Sequence, residues 1–219
     1  MRRAWLLLAA LLLFCFPALA QDRVDQIANA VDDHYNHLQS LVTQFTESYQ
    51  GAGVSRQESG RLWLKRPGKM RWEYTQPRVK LFVSDGKTAY FYVPGEHQVR
   101  KADVKKLDDL RSPLRYLLGK TKLKKEFDGL SLAPDEKPAV AGDVLLRGVP
   151  RAMSEQVQEV MLEVTPENRI RRIVVRDVDG SVTEFGFSDP QENLDLPDAR
   201  FSFAIPPGVE TIETTDLAP

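Results

Sequence analysis

Cysteine is nearly absent: the 219-residue chain has one, Cys15, inside an apolar stretch close to the start. Everything after it is free of thiols, which excludes disulfides, Cys-ligated zinc and thiol catalysis together. Histidine is scarce as well, with only His34, His37 and His97. A metal site needs ligands from several segments, and only His34 and His37, beside Asp32 and Asp33, share one stretch. A solvated helix face explains that group more simply, so no metal, cofactor or catalytic residue is expected. The sequence has no G-x-S-x-G nucleophile turn and no glycine-rich phosphate loop. Nor does one charge dominate: 30 Lys and Arg stand against 31 Asp and Glu. That balance argues against a general nucleic-acid binder. The apolar run Ala4–Phe16 is too short to cross a bilayer.

What is present begins with an export signal. Arg2 and Arg3 precede the apolar run, and Ala18-Leu19-Ala20 follows it as a small-residue cleavage site. Residues 1–20 are therefore expected to be removed near Ala20, leaving one domain over 21–219. Leu13-Phe14 is a poor context for lipid attachment at Cys15, so Cys15 is expected to leave with the signal. Export across the inner membrane follows from that expectation.

Periodicity divides the rest. Val24, Ile27, Ala28, Val31, Tyr35 and Leu38 recur at steps of three and four, which predicts an amphipathic helix over 22–38 with Asp22 as its cap. The period then falls to two. Strands are predicted over 43–49, 60–65, 69–75, 79–84, 88–93 and 98–102, broken by Gly51-Ala52-Gly53, Arg66-Pro67-Gly68, Asp85-Gly86 and Pro94-Gly95. Ser112-Pro113 opens a short helix with Leu114, Leu117 and Leu118 as its apolar stripe, stopped by Gly119. Residues 120–130 stay ambiguous, and Pro134–Gly142 is a loop. Strands resume over 144–147, 157–164, 170–177 and 182–187, and 201–205 reads as the last. The segment from Lys101 to Lys125 is basic and that from Asp189 to Asp198 is acidic. A solvated surface explains both; the alternative for the basic segment is a face toward anionic lipid headgroups or an acidic partner.

About ten strands and two or three short helices emerge, a mainly β (α+β) chain with an antiparallel sheet. So few helices cannot cover such a sheet on both faces, so it must curl around an apolar concave side. Phe45, Phe82, Phe91, Phe185, Val160 and Leu162, with Trp63, Tyr90, Tyr92 and Phe187, supply apolar surface to the strands. By pattern alone they fill a packed barrel core or line a cavity roofed by helices.

The stretch Gly60-Arg61-Leu62-Trp63-Leu64-Lys65-Arg66-Pro67-Gly68-Lys69-Met70-Arg71-Trp72-Glu73-Tyr74 resembles the outer-membrane lipoprotein carrier family, LolA. So do Val83-Ser84-Asp85-Gly86-Lys87-Thr88, Phe91-Tyr92-Val93-Pro94 and Phe201-Ser202-Phe203-Ala204-Ile205-Pro206-Pro207-Gly208-Val209. The resemblance implies an unclosed half β-barrel, a strongly curved antiparallel sheet under a lid of short helices. It implies no enzyme but a periplasmic monomer. Its partners would be acylated lipoproteins, an inner-membrane lipoprotein-releasing ABC transporter and an outer-membrane lipoprotein receptor. Arg66 falls on the family's lid latch, Met70 on a bulky apolar position near the cavity mouth, and Trp72 on an aromatic position of the same strand. Leu114, Leu117, Leu118 and the first helix are the lid candidates. The alternative is another periplasmic lipid- or glycolipid-binding sensor or receptor on the same scaffold.

Overall fold

The computed structural model describes residues 16–104, 116, 117, 119, 122–214 and 217. Helix α1 (Phe16–His37) leads into β1 (Ser40–Gly51), β2 (Val54–Lys65), β3 (Lys69–Gln76), β4 (Lys80–Asp85), β5 (Thr88–Tyr92) and β6 (Gln98–Asp103). After a gap in the description come α2 (Leu123–Glu126), β7 (Phe127–Leu132), β8 (Val144–Pro150), β9 (Val157–Val164), β10 (Ile170–Asp177), β11 (Val182–Glu192) and β12 (Glu210–Glu213). The helix expected over 112–119 lies mostly outside the described residues, with Leu114 and Leu118. The proposed leader lies there up to residue 15. Helix α1 starts at Phe16 and runs through the proposed cleavage point, so Asp22 sits inside the helix and does not cap it. Among the described residues no helix is long and apolar enough to cross a membrane.

The twelve strands of the described residues form one sheet in the order β12-β6-β5-β4-β3-β2-β1-β11-β10-β9-β8-β7. Two meanders, β1–β6 and β7–β11, are sewn together where β1 pairs with β11. The sheet ends on β12 and β7, so it stays open. Short turns dictate the meanders. The β1–β2 hairpin turns on Ala52 (φ 49) and Gly53 (φ 77), the left-handed pair that suits a tight two-residue hairpin turn. Gly60 shows where the sheet bends. It lies opposite Phe45 beside a register shift in the β2–β3 ladder, and a Cβ on it would come within 1.8 Å of the Glu73 carbonyl oxygen. Only a residue without a side chain lets the strands approach so closely there.

Side-chain alternation sorts the sheet into two faces. On the concave side Leu62, Leu64, Met70, Trp72, Tyr74, Phe82, Phe91, Leu146, Leu162 and Ile173 join the buried stripe of α1 in one core cluster. Trp63 points the other way, into a convex cluster with Val42, Leu196 and Phe201. Tyr90 and Tyr92 also leave the concave side; their rings lie 5.3 and 5.7 Å from that of Phe203. The strand expected over 201–205 is not formed. Phe201 ends a 3-10 turn, Asp198–Phe201, and the alternation of Phe201 and Phe203 serves a strap that packs on the sheet. Lys65 (2.7 Å) and Lys69 (2.5 Å) fix the strap through Asp198. Their hydrogen bonds hold its carboxyl down at about 2. The last strand is β12, which pairs with β6 in parallel and departs from the all-antiparallel expectation.

Candidate functional site

The eight strand residues expected to line the cavity meet in one cluster under α1. Phe45, Met70, Trp72, Phe82, Phe91, Val160, Leu162 and Phe185 are each at most 8% exposed and all belong to it. They come from β1, β3, β4, β5, β9 and β11, every one at the inward parity of its strand. Aromatic rings form its centre. Phe45 meets Trp72 edge-on at 4.7 Å and Tyr74 at 4.9 Å, while Trp72 stacks on Tyr74 at 5.8 Å and meets Phe185 at 6.1 Å. Such edge and stacked pairs add about 0.5–1.5 kcal/mol each beyond burial. Among the described residues, one polar atom in this region has no hydrogen-bond partner: the indole Nε1 of Trp72. Leaving a buried donor unpaired costs about 1–3 kcal/mol.

Helix α1 covers the cluster with Val24, Ala28, Val31 and Tyr35. Its ties to the sheet are polar and mostly near its C-terminal end. Arg66, in the turn after β2, donates from Nη2 to the Tyr35 carbonyl at 2.7 Å. The backbone N–H of Arg66 donates to the Gln39 carbonyl at 2.9 Å. The same guanidinium lies against Gly119 (φ +69), where a Cβ would stand 1.8 Å from Nη2. Arg66 thus touches both α1 and Gly119. From the other side, Ile170 N–H donates to the Tyr35 hydroxyl at 2.9 Å, and burial pushes that phenol above its ordinary value. His34 Nε2 lies 3.1 Å from Glu192, which also accepts from Arg169 Nε at 2.8 Å. Burial alone would raise the Glu192 carboxyl, but the Arg169 hydrogen bond and the nearby His34 bring it below the usual carboxylate range. His34 is therefore part of the α1 anchorage, not the solvated face expected of it; His37 does lie exposed, bonded to the Asp33 carbonyl. Toward α2, Asp25 in the middle of α1 pairs with Lys124, and the Asp32 carboxylate, two residues before His34, accepts from Leu123 N–H at 3.1 Å.

Leu117, one of the three leucines expected in the lid, is 4% exposed and joins the same cluster. It sits between two clefts. One, of about 280 Å³, has Leu41, Leu117, Ile170 and Phe187 among its apolar walls and Glu167, Arg169, Asp189 and Glu192 among its charged ones. The other, of about 20 Å³, reaches Arg66, Leu64 and Gly68. Phe187 belongs to the concave cluster too, so the larger cleft touches the apolar floor from the Glu192 end.

The opposite end is closed differently. Glu47 and Glu58 face each other across β1 and β2, both 5% exposed. Tyr74 donates to Glu47 at 2.7 Å, Lys80 to Glu58 at 2.7 Å, and Arg56 lies 3.7 and 3.3 Å from the two carboxylates. Burial raises the Glu47 carboxyl above its ordinary value; the Tyr74 hydrogen bond opposes the rise without cancelling it. Among the described residues no group of His, Cys, Asp and Glu is gathered as a metal ion would require.

Tyr35, Ile170, Arg169, Glu192, His34 and Gly119 carry roles that sequence periodicity did not mark. Tyr35 looks like one more apolar position of α1, yet its carbonyl and its hydroxyl bind opposite sides of the sheet. Gly119 fits a helix stop by sequence, and its lack of a side chain makes room for Arg66.

Comparison with known proteins bears on the whole chain. Residues 36–204 match the family model described as outer membrane lipoprotein carrier protein LolA. The outer-membrane lipoprotein carrier protein of Chromobacterium violaceum is 33% identical over 175 residues, covering 79% of this chain and 81% of that one. That of Bordetella avium is 32% identical over 200 residues, 90% of each chain. At the level of fold alone, an uncharacterized conserved protein of Thermus thermophilus superposes with a TM-score of 0.54 at 13% identity, over 86% of this chain and 98% of its own. Lipoprotein LppX of Mycobacterium tuberculosis does so at 0.53 and 10% identity, over 80% and 99%. An open curved sheet with inward aromatic rings, a helix across them and relatives of this identity over most of their length lead to one assignment: the chain belongs to the outer membrane lipoprotein carrier protein family, LolA, whose members are carriers and not enzymes.

Proposed function

We propose that this protein is a periplasmic monomer that shields the acyl chains of lipoproteins between two membranes. It receives cargo from an inner-membrane ABC transporter and yields it to an outer-membrane receptor. Met70, Trp72, Phe45, Phe82, Phe91, Val160, Leu162 and Phe185 are the surface offered to the chains. The observation that carries this reading is the nature of the cover: an apolar concave face under a helix tied down by a few polar bonds. Each methylene buried is worth about 0.8 kcal/mol, so one long acyl chain costs roughly 10 kcal/mol to expose. Apolar contact is non-directional and suits cargo that varies in everything but its lipid. When α1 and Leu117 lift away, their own apolar contacts are lost and those of the lipid replace them. That exchange keeps net affinity modest, which onward transfer requires.

Arg66 is the latch in this scheme. A charge-assisted hydrogen bond is worth about 1.5 kcal/mol, roughly tenfold in the closed-to-open ratio. Arg66→Leu should therefore hold a triacylated peptide up to about tenfold more tightly and pass it on more slowly, with the fold intact. Uptake and transfer are measured with a fluorescent triacylated peptide and acceptor vesicles. Wild-type transfer by Arg66→Leu would remove the latch role, and failure of the unaltered protein to take up the peptide would remove the carrier reading.

A further inference from the structure

The unpaired indole of Trp72 has no use in a purely apolar lining. Its Nε1 is buried and lacks an acceptor among the described residues, in a side chain only 3% exposed. The rings packed against it supply none: Phe45 and Phe185 have no polar side-chain atoms, and the Tyr74 hydroxyl, which donates to Glu47, makes no hydrogen bond with Nε1. Leu62 and Phe82 flank Trp72 on the adjacent strands. A phenylalanine would supply similar apolar contact without a stranded donor, and buried donors in folded proteins are nearly always paired. Among the described residues, this donor has no acceptor.

Granted the carrier reading above, the ligand can supply it. Methylenes accept no hydrogen bond. The first acceptor along an acyl chain is the carbonyl oxygen at its attachment point. We propose that Trp72 Nε1 donates to an acyl carbonyl oxygen of the bound lipid, so that the concave face contains one polar subsite for an ester or amide carbonyl. The subsite sets how deeply a chain inserts, with the methylenes beyond the carbonyl lying on the rings. It also makes the protein prefer acyl over alkyl lipids, a selectivity that apolar contact cannot provide.

The test compares a short-chain diacylglycerol with the dialkyl ether of the same chain length, which lacks only the carbonyls. The unaltered protein should bind the ester about three- to tenfold more tightly, one neutral hydrogen bond's worth. Trp72→Phe should bind both with the affinity of the ether. A second readout needs no variant to fold. In ¹⁵N-labelled protein the Trp72 indole proton should move downfield with the ester and not with the ether. Trp63, buried on the convex side, is the internal reference. Equal affinities for the two lipids, or an unmoved Trp72 resonance with bound ester, overturn the subsite and leave the carrier reading standing. Binding of neither lipid overturns both.

Discussion

The two ends of the concave face are shut by different kinds of contact. At one end Tyr74, Lys80 and the exposed Arg56 form a polar network around two buried carboxylates, Glu47 and Glu58. Every member belongs to β1–β4, neighbours in one continuous ladder. At the other end Arg66, Ile170 and Glu192 reach from the sheet to the helix, and Arg66 also reaches Gly119. The first network can loosen only if strands part. The second joins separate bodies and can open while every ladder stays intact. A carrier needs both: an end that keeps its shape and an end that yields.

Four substitutions would break or sharpen that contrast. The largest effect is expected at the bend. Gly60→Val puts a branched side chain into the Glu73 backbone, and urea unfolding should show a loss of about 2–4 kcal/mol. A loss below about 1 kcal/mol would mean that the bend does not depend on this close approach. Next comes the fixed end. Tyr74→Phe strips the buried Glu47 of its donor, which should cost about 1–3 kcal/mol of stability while leaving lipid uptake per folded molecule unchanged. Altered uptake there would merge the two ends into one gate. At the yielding end, Gly119→Ala forces Arg66 aside. It should cost only about 1 kcal/mol for the left-handed backbone but mimic Arg66→Leu in lipid retention. Normal retention would separate Gly119 from the latch.

The smallest effect is one of pH. Because burial raises Glu47, the folded chain binds its proton more tightly than the unfolded chain does. Stability from this group is therefore greatest in acid and falls as pH rises from the ordinary carboxylate value through the raised one. Glu47→Gln should thus melt higher than the unaltered protein at neutral pH, and the gap should close in acid. A gap that widens on acidification would reverse the assigned direction.

Much of the architecture could be read from the chain because it rests on local rules. Asp85-Gly86, Pro94-Gly95 and Asp179-Gly180 mark turns, and period-two alternation places Met70, Trp72 and Phe82 on one side. Strand β7 was ambiguous because Asp128 and Gly129 interrupt its alternation at a register shift. The strand expected over 201–205 was an alternation without a ladder. Strand β12 went unseen because Glu210–Glu213 is exposed throughout and has no apolar face to betray it. The concave lining was legible for the same reason as the strands. Its closure was not, since Tyr35 meets Arg66 and Ile170 across 31 and 135 positions of sequence. No periodicity carries information over such a span.

The short parallel strand β12 has an effect beyond topology. An antiparallel meander ending on β6 would present a row of free backbone donors and acceptors, a template on which a second copy could build. With β12 laid along it, that rim shrinks to four residues carrying Glu210 and Glu213. Short, charged margins discourage one chain from stacking on the next. In the carrier proposed above, which exposes grease whenever it loads or unloads, such self-avoidance has particular use.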